Sequence, residues 1–145
     1  MKFSFHRLGE DERAKVLRIL RDELDLPEVL LAVVHGGFVE SEVFRDIDVA
    51  VFTGFRIPEG REEEFREELS NLLTEEVGIY VDLRLLDYAP PRFRVSSLSK
   101  CLILVERDPL IRISLLRASR QEIEDIRSKI RRSAGISIGN DVEAR

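Results

Sequence analysis

A chain of 145 residues with a formal charge of −5 is long enough for one domain with a real core and too short for a separate substrate domain of ordinary size. The acidic balance argues against a general nucleic-acid-binding surface, no apolar stretch approaches the length of a membrane span, and the N-terminus has no signal-peptide pattern. A single cysteine, Cys101, excludes an internal disulfide framework, and together these features predict a cytoplasmic protein with no membrane contact.

In chain order, residues 11–24 read as an amphipathic helix, with Val16, Leu17, Leu20 and Leu24 at helical spacing and Pro27 as the stop. Residues 29–34 form an apolar run predicted to be a central strand, broken at Gly36-Gly37. One short helical turn within 38–44 leads to a second strand over 46–53, and 54–58 is a loop. A helix with an acidic first turn opens at Pro58-Glu59, buries Phe65, Leu69, Leu72 and Leu73, and is capped at Gly78. A third strand follows over 79–86, a short helix over 93–99, and a fourth strand over 101–105. A final helix starts at Pro109, carries Ile123, Ile126 and Ile130, and ends near Ala134-Gly135. A single domain is therefore expected over 1–135, and the weakly patterned residues 136–145 are expected to be a disordered tail.

The stretch that is hardest to explain as packing is Asp46-Ile47-Asp48-Val49. In a strand, side chains alternate, so Asp46, Asp48, Ala50 and Phe52 share one face while Ile47, Val49 and Val51 share the other. Two carboxylates then stand side by side on a strand whose other face is core, an arrangement that repulsion and lost hydration make costly. A hard divalent cation offsets that cost, since Mg²⁺ takes one or two carboxylates together with substrate phosphates. The glycine pair upstream lets backbone N–H groups approach a phosphate closely. On the third strand, Ile79, Val81, Leu83 and Leu85 share one face and Tyr80, Asp82 and Arg84 the other, which puts another acid on a polar face. His35, at the strand end, reads as structural, and Cys101 as core.

Gly36-Gly37 followed by Asp46-x-Asp48 in an apolar strand, with Asp82 on a later strand, resembles the signature of the DNA polymerase β superfamily of nucleotidyltransferases. Within it, the pattern is similar to the minimal nucleotidyltransferases (MNT). The order of helices and strands already gives an α/β sheet domain with one sheet face left for catalysis and the other covered, and the resemblance implies the same arrangement: a mixed sheet of about four strands with helices packed mainly on one face. It implies two Mg²⁺ ions held by Asp46, Asp48 and Asp82, with ATP as substrate and Gly36 and Gly37 presenting N–H groups to its phosphates. Asp82 would also help to deprotonate the acceptor hydroxyl. The second glycine replaces a serine common in the family, and Val39-Glu40-Ser41 and Arg45 stand where its other usual residues would be. Ser41 could supply the missing hydroxyl and Arg45 a missing cation, while Glu40 puts an acid where the triphosphate would lie.

Family context further implies a partner, a small helical HEPN toxin that the MNT protein neutralises by adenylylation. The leading expectation is thus an AMP-transferring antitoxin acting on a hydroxyl of an HEPN-type protein. The alternative is an inactive MNT-fold module that neutralises its partner by contact. A small-molecule nucleotidyltransferase of the antibiotic-modifying kind is a third, disfavoured by the lack of an additional helical domain.

Overall fold

The two apolar runs that flank the glycine pair lie next to each other in the computed structural model, which describes residues 4–135. The chain runs β1 (His6–Arg7), α1 (Glu10–Leu24), β2 (Leu31–His35), α2 (Gly37–Glu40), β3 (Val43–Phe44) and β4 (Ile47–Phe52). A 3-10 turn (Glu59–Arg61) then leads into α3 (Glu62–Val77), β5 (Val81–Leu85), α4 (Pro91–Ser99), β6 (Cys101–Glu106) and α5 (Pro109–Ser133). The tail expected over 136–145 lies outside the described residues.

Four strands make one mixed sheet in the order β5-β4-β2-β6, with β2 antiparallel to both neighbours and β4 parallel to β5. The strand that is apolar on both faces is central, as its composition requires. The four predicted strands and the main helices are all present, and their ends shift by a few residues. β1 and β3 form a separate two-stranded ribbon that two-residue strands leave no periodicity to predict.

Alternation decides which face each residue serves. Ala32, Val34, Ile47, Val49, Val51, Val81 and Leu83 are fully buried against α1 and α3. On the opposite face Leu31, Val33 and Ala50 are covered by Leu98 of α4 and Leu116 of α5. That second cover stops short of the strand ends that carry His35, Asp48 and Asp82, and these side chains stay half-buried. The helices thus share both faces and leave one end of one face open.

Local signals set the helix ends. Glu12 accepts a hydrogen bond from the Gly9 N–H at 2.9 Å, half of a capping box, and Asp108 accepts from Leu110 N–H at 3.0 Å ahead of Pro109. Gly78 ends α3 at φ 86°, with its N–H bonded to Thr74 O. The same helix seals the sheet edge. Thr74 Oγ1 accepts from Val81 N–H, Ser70 Oγ donates to Val81 O, and Arg66 donates to Leu83 O, one helix turn apart each.

Asp87, only 2% exposed, ties the end of β4 to the end of β5. Its carboxylate accepts from Thr53 N–H, from Thr53 Oγ1 at 2.9 Å and from Phe55 N–H at 2.7 Å. Asp87→Asn turns an amide N–H₂ toward these donors, so it should lower the unfolding free energy by about 2 kcal/mol. Urea unfolding checks this, and an unchanged midpoint would show the clamp to be dispensable.

Candidate active site

The sheet register lines up a row of chemistry-bearing side chains. Asp82 pairs with Asp48, Asp48 with His35, and His35 with Cys101, so the row crosses all four strands on one face. Neighbouring strands lie ~4.8 Å apart, which puts Asp48 and Asp82 side by side. Asp46 sits in the bend just before β4 rather than inside it, and its charge still acts on Asp48. All three acids singled out in the sequence therefore gather at one open end of the sheet.

The electrostatics of the row favour a nearby positive charge. Burial, then the charges of Asp82 and Asp46, push the Asp48 carboxyl up to about 6. Asp46 Oδ1 is buried and has no hydrogen-bond partner among the described residues. Arg84 offsets part of the repulsion at Asp48, and its guanidinium lies over the Phe93 ring at 3.9 Å. Phe93 meets His35 edge-on at 5.6 Å, and burial is the main cause that lowers the His35 pKa.

The glycine pair serves this row sterically. Gly36 has φ 77° and ψ −152°, a region closed to side-chain-bearing residues, and a Cβ there would collide with Asp48 Oδ2. Gly37 opens α2, where a Cβ would come within 3.3 Å of Phe44 Cβ. Arg13 of α1 fastens the turn that follows. It donates to Phe38 O at 2.5 Å and to Ser41 O at 3.0 Å, and stacks over the Phe38 ring at 4.5 Å. Ser41 Oγ accepts from Val43 N–H at 3.3 Å, and Arg45 is exposed at the bend beside Asp46.

Among the described residues, no three His, Cys, Asp or Glu side chains stand close enough to cage a metal ion unaided. Mg²⁺ brought in on substrate phosphates needs only one or two carboxylates, so the bare Asp46 oxygen and the repelled Asp48 fit such an ion. A cleft of about 550 Å³ adjoins Asp82 on its outer side, lined also by Arg66, Arg84 and Tyr88. Sequence reasoning did not single out Arg13, Arg66, Arg84 or Asp87. Arg84 was visible only as a neighbour of Asp82 on the polar face.

No protein-family model matches the chain, and no curated protein matches it by sequence. Solved structures match it by shape. A complex of tri-AMPylated Shewanella oneidensis HEPN toxin with MNT antitoxin contains a chain that superimposes with a TM-score of 0.63 at 18% identity, over 88% of this chain and 95% of that one. A toxin–antitoxin structure with AMP-PNP gives 0.65 at 19% identity over 84% and 94% of the two chains. An MntA–HepT toxin–antitoxin complex gives 0.62 at 18% over 87% and 95%. The chain has the fold of the MNT antitoxins, and no helix among the described residues is long and apolar enough to cross a membrane.

Proposed function

We propose that this chain transfers AMP from ATP to a hydroxyl on an HEPN-type partner protein and neutralises that partner by the modification. The observation that carries the reading is the carboxylate row: a bare buried oxygen on Asp46, a repelled Asp48, and Gly36 seated against it. These features cost stability on their own and are relieved by a cation that arrives with phosphates. The similar structures that hold AMP-PNP and a tri-AMPylated HEPN toxin support adenosine nucleotide, AMP and HEPN protein as the three participants.

In the transfer, the acceptor oxygen forms a bond to the α-phosphorus while the bond from that phosphorus to the pyrophosphate oxygen breaks. Pyrophosphate leaves with the electron pair, and Asp82 takes the proton of the acceptor hydroxyl. Asp46 and Asp48 would hold magnesium brought in on the phosphates, with Asp82 beside them on the next strand, and the ion would supply charge neutralisation there. Gly36 and Gly37 present backbone N–H groups to the β- and γ-phosphates, and Ser41, at the end of α2, and Arg45, in the bend before β4, meet the remaining charge. Positioning by these groups accounts for most of the expected acceleration. The ATP requirement and the lone thiol fit a cytoplasmic setting.

A second reading, neutralisation by contact alone, is favoured by one observation. Ser41 Oγ is already engaged by the backbone of its own loop and Glu40 is exposed beside it, so the turn has less to offer a triphosphate. Incubating the protein with Mg²⁺, α-³²P-labelled ATP and an HEPN-type protein from the same genome separates the two. Label on the partner, absent with γ-³²P-labelled ATP, is the expected result. A tight complex with no label would establish contact alone.

A further inference from the structure

The carboxylate row does not account for Phe55, the one non-glycine residue with positive φ among the described residues. Gly54 and Phe55 both have positive φ, 68° and 63°, in the turn that follows β4. Glycine or asparagine is expected at such positions, and a side chain with a ring is penalised there. Phe55 is nonetheless phenylalanine, and the residue is 56% exposed. Neither backbone preference nor solubility explains it.

The ring is held in place. Asp87 accepts the Phe55 N–H at 2.7 Å, and Phe55 stacks edge-on between Phe52, at 5.8 Å, and Tyr88, at 5.5 Å. Tyr88 is itself tied by its hydroxyl to Ile57 O at 3.2 Å. This aromatic ledge joins two depressions. On one side lies the cleft of about 550 Å³ that reaches along β5 to Asp82. On the other is an apolar groove of about 430 Å³ between Phe52 and α5, lined by Leu110, Ile111, Leu115 and Ala118, with Leu110 65% exposed.

We infer that the ledge and groove are the docking surface for the acceptor, a partner polypeptide that seats an apolar side chain on Phe55 and Tyr88 and extends its hydroxyl along the cleft to Asp82. This rests on the AMP-transfer reading for its chemistry, and on geometry for its occupant. The cleft is continuous with the carboxylate row at one end and with exposed rings at the other. Four strand residues separate the level of Asp48 from that of Phe52, ~13 Å, which a short peptide segment spans and a small acceptor does not. A polar trough that ends at a fixed aromatic anchor has the make-up of a protein interface, the rings serving as its buried contact and the trough as its polar rim.

The test is Phe55→Asn, which suits the left-handed backbone and removes the ring, with Phe55→Tyr as the conservative variant. With the HEPN-type protein as acceptor, Phe55→Asn should melt at or above the wild-type temperature and keep wild-type ATP affinity. KM for the acceptor should rise at least tenfold with kcat at saturation little changed, and Phe55→Tyr should restore it within about twofold. An unchanged KM would overturn the inference, as would self-association that is lost in Phe55→Asn while KM stays put. If the wild-type protein transfers no AMP, the transferase reading fails and the ledge is still tested. The affinity for the HEPN-type protein, measured by titration calorimetry, should then fall at least tenfold in Phe55→Asn, and equal affinity would remove the ledge from the interface.

Discussion

Asp48→Asn is expected to raise the melting temperature of the metal-free protein at pH 8 while it lowers AMP transfer at least 1,000-fold. The two effects have one cause. The Asp48 carboxyl is pushed from 3.8 up to about 6 by burial and by the charges of Asp82 and Asp46. An acid whose folded pKa exceeds its unfolded one binds its proton more tightly when folded. Its favourable contribution is complete below about pH 4, and is lost as the pH rises through 6. The span caps the penalty at about 3 kcal/mol, and because the carboxylate is still partly solvated, screening leaves on the order of 1 kcal/mol at pH 8. Asparagine keeps the shape without the charge, so it recovers that amount above pH 6 and little at pH 4. The amide is also a poor magnesium ligand, and loss of a charged group that acts on the reacting phosphate is typically worth three or more orders of magnitude. Melting curves between pH 4 and 8, with a labelled-ATP assay on the same samples, check both halves. A variant that is less stable at pH 8, or that retains activity, would show Asp48 to be an ordinary structural acid.

Why that acid was readable in the sequence, and its surroundings were not, follows from the range of each signal. Asp48 announces itself because a period of two puts it opposite an apolar face, and the same rule exposes Asp82 on β5, whereas Asp46, expected inside that strand, sits in the bend just ahead of it. The step from two strands to one site needs their register, and the structure supplies it: Asp48 opposite Asp82. His35 looked structural because nothing local ties it to Asp48, although the antiparallel β2–β4 pairing puts them level. Arg13 is 25 residues from the carbonyl it holds, and Asp87 is 34 from Thr53, so neither contact leaves a trace in local periodicity. The order of helices and strands led to the expectation of one sheet face left for catalysis, and the structure leaves only one end of that face open. What covers the rest of it, α4 and α5, was visible as helices without a destination.

Gly36 offers the sharpest separation of a fold-level glycine from an ordinary one, because its neighbour serves as the control. Gly36→Ala must put a side chain at φ 77° and ψ −152°, which costs of the order of 1–3 kcal/mol, and must move Asp48 out of the way of the new Cβ. About 3 kcal/mol of lost stability is expected in all, together with at least a tenfold loss of Mg–ATP affinity as Asp48 leaves the row. Gly37→Ala has no positive φ to pay for, and the Phe44 Cβ at 3.3 Å can give by a few tenths of an ångström, so it should cost less than about 1 kcal/mol. Urea unfolding and ATP titration of both variants test this directly. Adding Asp48→Ala to Gly36→Ala should return about 1 kcal/mol, since the collision is then gone and only the backbone strain remains. If the two glycines prove equally tolerant, the close approach of Gly36 to Asp48 is not what positions the carboxylate. The turn would then be a connection between strands and no more.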